Sequence, residues 1–154
     1  MQVDRSIFKA YDIRGIVGST LTEPVARAVG RALGALAVRQ GIKELCVGRD
    51  GRLSGPALAA ALIEGIASTG TDVKDIGMAP TPVLYFATTH FKNGSGVAVT
   101  GSHNPPEYNG LKMMLGGMTL FGDGIAHLAD MIEAEDFVAA DKPGRVETVD
   151  VIEP

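Results

Sequence analysis

Apolar residues recur along the chain with two different periods. Val25, Ala28, Val29, Ala32, Leu33 and Leu36 fall three and four apart and so share one face of a helix. Thr22-Glu23-Pro24 marks its start, with a capping hydroxyl, an acid and a proline in the first turn, and Gly41 marks its stop. "KELCVGRD" (43–50) then reads as a buried strand. Ser54-Gly55-Pro56 opens a second helix with Leu58, Leu62 and Ile66 inward, closing at Gly70. "TDVKDIG" (71–77) is strand again, with Val73 and Ile76 toward the core. "MAPTPVLYFATTHF" (78–91) reads as a loop and a short helix. "GVAVT" (96–100) and "LKMML" (111–115) follow as strands, and "GDGIAHLADMIEA" (122–134) as a helix burying Ile125, Leu128 and Ile132.

Strands alternating with helices predict an α/β layer architecture with a mainly parallel sheet. In such sheets ligands bind beyond the carboxyl ends of the strands. Residues 1–140 form one α/β domain on this reading. The tail 141–154, "DKPGRVETVDVIEP", is a linker and then an alternating strand, and its partner is expected beyond the end of the chain.

Composition narrows the picture. With 154 residues the chain suffices for one domain with a real core. The 14 Lys+Arg against 18 Asp+Glu give a net charge of −4, which predicts no nucleic-acid or membrane surface, so an anionic ligand must be caught locally. The N-terminus lacks a signal core, and no apolar run approaches the ~20 residues of a membrane span. A cytoplasmic location is expected. Cys46 is the single cysteine and reads as a reduced core thiol. Asn93-Gly94-Ser95 matches a glycosylation sequon that this location leaves unused.

The candidate chemistry lies between strands, in "TGSHNPPEYNG", Thr100 to Gly110. Pro105 and Pro106 fix their own φ and restrict the residues before them. Asn104 can bond nearby backbone, Gly101 permits close approach of a ligand, and Asn109-Gly110 reads as the turn into "LKMML". Ser102 and His103 are thereby held at low entropic cost. Taken singly, Ser102 reads as a turn residue, His103 as a surface imidazole and Lys112 as a solvated charge; their combination points to a site.

"FKAYDIRG" (8–15) is a second anchor. It reads either as an edge strand with Arg14 exposed or as a short stretch delivering Arg14 to a cleft as a planar phosphate fork. In "GRDGRLSGP" (48–56), Asp50 and Arg52 can simply pair while Ser54 caps a helix. No dinucleotide fingerprint, Walker loop, metalloprotease signature or nucleophile elbow occurs, and His90, His103 and His127 lack metal-ligand spacing.

"TGSHNPPEYNGLKMM", with "FKAYDIRG" and "GRDGRLSGP" before it, resembles the α-D-phosphohexomutase family, in family order and over nearly the whole chain. The resemblance implies an α/β three-layer sandwich, its mixed, mainly parallel sheet flanked by helices, as the first domain of a four-domain enzyme, with residues 141–154 leading toward the second. It implies interconversion of hexose 1-phosphate and hexose 6-phosphate, of mannose or glucose, through a bisphosphorylated sugar. Ser102 would carry the phosphoryl group as phosphoserine, and Mg2+ would bind a phosphoryl oxygen on Ser102 plus aspartates of a loop that has no counterpart here. Arg14 and Lys112 would supply positive charge, with Lys112 helping to move a proton; Tyr11 and Arg14 would face substrate. His103 would hold the loop or donate to phosphate. The chain alone is expected to be inactive. The rival reading is a non-catalytic phosphate-binding or self-associating module.

Overall fold

A computed structural model describes residues 1–150; the last four residues of the tail, Val151–Pro154, lie outside the described residues. After a 3-10 turn at Arg5–Ile7, β1 (Ile13–Ile16) leads to α1 (Glu23–Arg39), β2 (Glu44–Arg49), α2 (Gly55–Ser68), β3 (Asp72–Met78) and α3 (Thr81–His90). Then come β4 (Gly96–Val99), β5 (Tyr108–Leu115), β6 (Met118–Thr119), α4 (Asp123–Ala134) and β7 (Val146–Thr148). The Thr22 hydroxyl accepts from the Val25 amide at 3.3 Å, so α1 starts where its capping residues predict. No helix among the described residues is long and apolar enough to cross a membrane.

Among the described residues the strands form one mixed sheet of seven, ordered β1-β5-β4-β2-β3-β7, with β6 paired to β5. The β4-β2-β3-β7 half is parallel; β5 runs antiparallel to β1, β4 and β6. Alternation divides the side chains between two faces. Leu45, Val47, Val97, Val99, Leu111, Met113 and Ile13 join α1, α2 and α4 in the larger core. Cys46, Ile76 and Ala98 join Leu84 and Ala87 of α3 on the other face. The three layers are thus α1/α2/α4, sheet, α3.

Two local expectations are corrected. Asn109-Gly110 is not a turn; both residues lie inside β5, and the chain reverses earlier, where the Tyr108 amide bonds the Pro105 carbonyl at 3.0 Å. Tertiary contacts override the local signal. The Asn109 side chain is buried and donates to Ser54 Oγ at 2.8 Å, and a Cβ on Gly110 would meet the Ile13 carbonyl at 2.6 Å. The tail strand also finds a partner within the chain, since β7 lies parallel to β3. The Arg145 amide bonds the Asp72 carboxylate at 2.8 Å, and Lys74 pairs with Glu147, holding that carboxyl below its ordinary range. An open β3 edge is a pairing template, and the nearest chain takes it.

Cys46 is buried, and burial pushes its thiol above the ordinary range, as suits an unreactive core residue. Asn93 spends its amide on Glu44 at 2.9 Å and on the Cys46 sulfur at 3.3 Å.

The helices α1 and α2 meet backbone to backbone. A Cβ on Gly30 would lie 2.2 Å from the Leu62 carbonyl oxygen, and one on Gly65 would lie 2.1 Å from that of Arg27. Neither neighbour is the end of a flexible side chain, so the helices themselves must part. Gly30→Ala is expected to cost about 2–3 kcal/mol as an overpacking change. At about 2–4 °C per kcal/mol for a chain of this size, its Tm falls by about 4–12 °C. Gly124→Ala, whose Cβ meets only Leu120 at 3.5 Å, is expected to leave Tm within about 2 °C in the same calorimetric comparison.

Candidate active site

Period-two alternation decides which cations meet. Ile13 points into the larger core, so Arg14 points to the opposite face of the sheet. Leu111 and Met113 are likewise core residues, so Lys112 between them shares that face with Arg14. Register places them on neighbouring strands, with Arg14 opposite Gly110 and Lys112 opposite Ala98. Helix α3 packs on β2 and β4, leaving the β1–β5 end of this face open.

A recess of about 480 Å³ occupies that end, lined by Lys9, Ala10, Tyr11, Asp12, Arg14, Ser102 and Lys112. The expected residues Tyr11, Arg14, Ser102 and Lys112 therefore border one cavity. Tyr11 is 75% exposed at its rim. His103 is exposed, lies outside this lining and makes no side-chain hydrogen bond among the described residues. Lys9 and Asp12 were not singled out from the sequence, although both stand inside "FKAYDIRG". Lys9 adds a third cation, and Asp12 sets the one carboxylate of the lining against them.

Ser102 is held in an uncommon conformation. Its φ is +52°, a left-handed value that costs a non-glycine residue of order 1–3 kcal/mol and persists only where surroundings impose it. The surroundings come from the turn after β2. The Asp50 carboxylate accepts from the Thr100 hydroxyl and from the Gly101 amide, each at 3.0 Å. Thr100 Oγ1 in turn accepts from the Ser102 amide at 3.1 Å. Asn104 closes the loop by donating its side-chain amide to the Gly101 carbonyl at 2.9 Å.

The turn after β2 thus does more than pair with itself. Asp50 and Arg52 do approach, at 3.4 Å, but the Arg52 guanidinium also reaches the loop backbone. Ser54 stands at the start of α2 without a side-chain capping bond; its hydroxyl receives Asn109 instead. The role expected for Gly101 is corrected too. A Cβ there would lie 2.1 Å from Arg52 Cζ, so its bareness admits a guanidinium of the same chain rather than a ligand. Arg52 left no signal in the sequence beyond a nearby acid.

A preorganised hydroxyl bordered by three cations suits transfer of an anionic group, since charge stabilisation there needs no rearrangement. Comparisons with known proteins bear on the family of the chain. The family model described as "Phosphoglucomutase/phosphomannomutase, alpha/beta/alpha domain I" matches residues 5–139. The chain is 54% identical over 149 residues to a phosphoglucomutase of Neisseria gonorrhoeae, covering 97% of this chain and 32% of that protein. It is 50% identical over 147 residues to a phosphomannomutase/phosphoglucomutase of Pseudomonas aeruginosa, covering 96% and 31%. A crystal structure of a phosphoglucomutase/phosphomannomutase family protein from Burkholderia thailandensis superposes with a TM-score of 0.91 at 45% identity, over 97% of this chain and 34% of that one. The chain spans about a third of the length of the relatives it matches.

Asp50→Ala is expected to free the Thr100 hydroxyl and the Gly101 amide together. Losing hydrogen bonds to a charged acceptor costs about 1.5–3 kcal/mol. Amide exchange at Gly101 and Ser102 is expected to accelerate at least about tenfold, with protection in α1 and β2 unchanged; equal protection in both proteins would contradict the anchoring role.

Proposed function

The chain belongs to the phosphoglucomutase/phosphomannomutase family, as its α/β/α domain I, and on that premise we propose that it carries the phosphoryl-transferring serine of a hexose phosphate mutase. The observation that carries the reading is the shared recess of Ser102, Arg14 and Lys112. Ser102 holds the phosphoryl group between turnovers. A hydroxyl oxygen of the sugar phosphate bonds to phosphorus, the bond from phosphorus to Ser102 Oγ breaks, and the sugar becomes bisphosphorylated. It turns over and returns its other phosphoryl group to Ser102, leaving a hexose phosphate substituted at the alternative position.

Phosphoserine brings about −1.5 to −2 charges, and the transferring group spreads further charge over its oxygens. Arg14 offers a planar fork to those oxygens, while Lys112 supplies a point charge and takes part in moving the proton that the sugar hydroxyl loses. Tyr11, at the rim, faces the sugar. Magnesium, when bound, would neutralise part of the phosphoryl charge. No three metal-ligating side chains come together among the described residues. The ligand this chain would offer is an oxygen of the phosphoryl group on Ser102, and the other ligands would come from parts of the protein that the chain does not span.

Three outcomes test the reading. In a chimera that carries this chain in place of the matching third of a relative, Ser102→Ala is expected to lower hexose phosphate isomerisation by at least about 10⁴-fold. Arg14→Ala is expected to lower kcat/KM by about 10²–10³, as for loss of one charge-stabilising donor. A Ser102→Ala chimera with near-normal turnover would remove the serine from the chemistry. The 154-residue chain by itself is expected to show no isomerisation in a coupled assay, because one wall of a cleft cannot enclose the sugar; magnesium-dependent turnover by the chain alone would contradict that.

A further inference from the structure

The geometry points to Arg52 as a positioning residue for Ser102, acting through the backbone of the loop; this rests on the mutase reading for its catalytic consequence, but not for its structural one. The Arg52 side chain is only 17% exposed and lines a different recess from Ser102, together with Asp50, Asn104 and Pro106. It therefore does not share the Ser102 cavity. Both terminal nitrogens of its guanidinium donate to backbone carbonyls, two each. Nη1 donates to the carbonyls of Pro105 at 2.7 Å and Tyr108 at 3.1 Å. Nη2 donates to those of Asn104 at 2.7 Å and Ser102 at 3.1 Å, while Nε faces the Asp50 carboxylate at 3.4 Å.

Two consequences follow from this arrangement. Four carbonyls separated along one loop converge on one rigid fork, which dictates the loop's curvature and with it the left-handed φ of Ser102. The negative ends of four peptide dipoles are also drawn onto Arg52, and none of them is left to oppose a phosphoryl group on Ser102. A lysine cannot substitute. It keeps the charge but offers three donors on a point rather than five in a plane. Gly101 belongs to the same device, since any Cβ there displaces the guanidinium.

The test uses Arg52→Lys and Gly101→Ala in this chain, observed by NMR. Each is expected to change the Ser102 amide–Hα coupling and carbon shifts away from their left-handed values. Each is also expected to speed amide exchange across 100–110 by about tenfold or more, while shifts in α1, α4 and β3 stay put. Because both changes break one contact, the double variant is expected to exchange no faster than the faster single one. Should Arg52→Lys fail to fold, Gly101→Ala, which retains the guanidinium, carries the same readouts. Unchanged Ser102 coupling and exchange in the single variants, or multiplied effects in the double variant, would overturn the clamp. In the chimera, Arg52→Lys is expected to lower kcat by about 10–100-fold with KM within about twofold. An unchanged kcat alongside a loosened loop would overturn the positioning role. A chimera inactive before any substitution would instead count against the mutase reading, leaving the NMR result to judge the clamp.

Discussion

Where Ser102 sits depends on the turn after β2, which seizes the following loop from behind. Asp50 takes a hydroxyl and an amide from Thr100 and Gly101, and Arg52 takes the loop's carbonyls. Without those contacts a stretch of serine, histidine, asparagine and two prolines has no reason to adopt one curvature. The prolines narrow the choice, but the turn after β2 makes it. The strained φ of Ser102 is the residue of that choice, and strain of this kind tends to gather where chemistry needs a group held ready.

The rest of the sheet supplies the surroundings. Because side chains alternate, burying Ile13, Leu111 and Met113 on one face sends Arg14 and Lys112 to the other. Helix α3 covers the β2–β4 region of that second face and stops short of β1 and β5. A concave, cationic end results from ordinary packing: the core on one side of the sheet orders the charges on the other. The same division explains why a protein of net charge −4 can still offer an anion a local home. The chain spans about a third of its relatives' length.

Much of this was legible in the sequence, for identifiable reasons. Helix α1 announces itself through its cap and three-four spacing, α2 through an early proline and apolar residues four apart, and the strands through short apolar runs. The grouping of Ser102 with Lys112 was legible from their combination around one stiffened loop, whereas Arg14 joined them only through the resemblance, because no periodicity links residue 14 to residue 112. Signals local to a dipeptide misled where tertiary contacts outweighed them. Asn109-Gly110 looks like a turn, yet the Asn109 amide is claimed by Ser54, 55 positions away. The β7–β3 pairing and the reach of Arg52 are likewise long-range, joining residues 73 and 50 positions apart. Sequence spacing carries no trace of such contacts.

The central claim concerns one oxygen atom, and it is tested most directly by locating a phosphoryl group. A chimera containing this chain is incubated with a hexose bisphosphate, digested, and the peptides are sequenced by mass spectrometry. The account predicts a single phosphorylated site at Ser102, lost when the same sample is then exposed to excess hexose monophosphate. A phosphoryl group on another residue, or a Ser102 peptide that stays unmodified while the chimera turns over substrate, would contradict it.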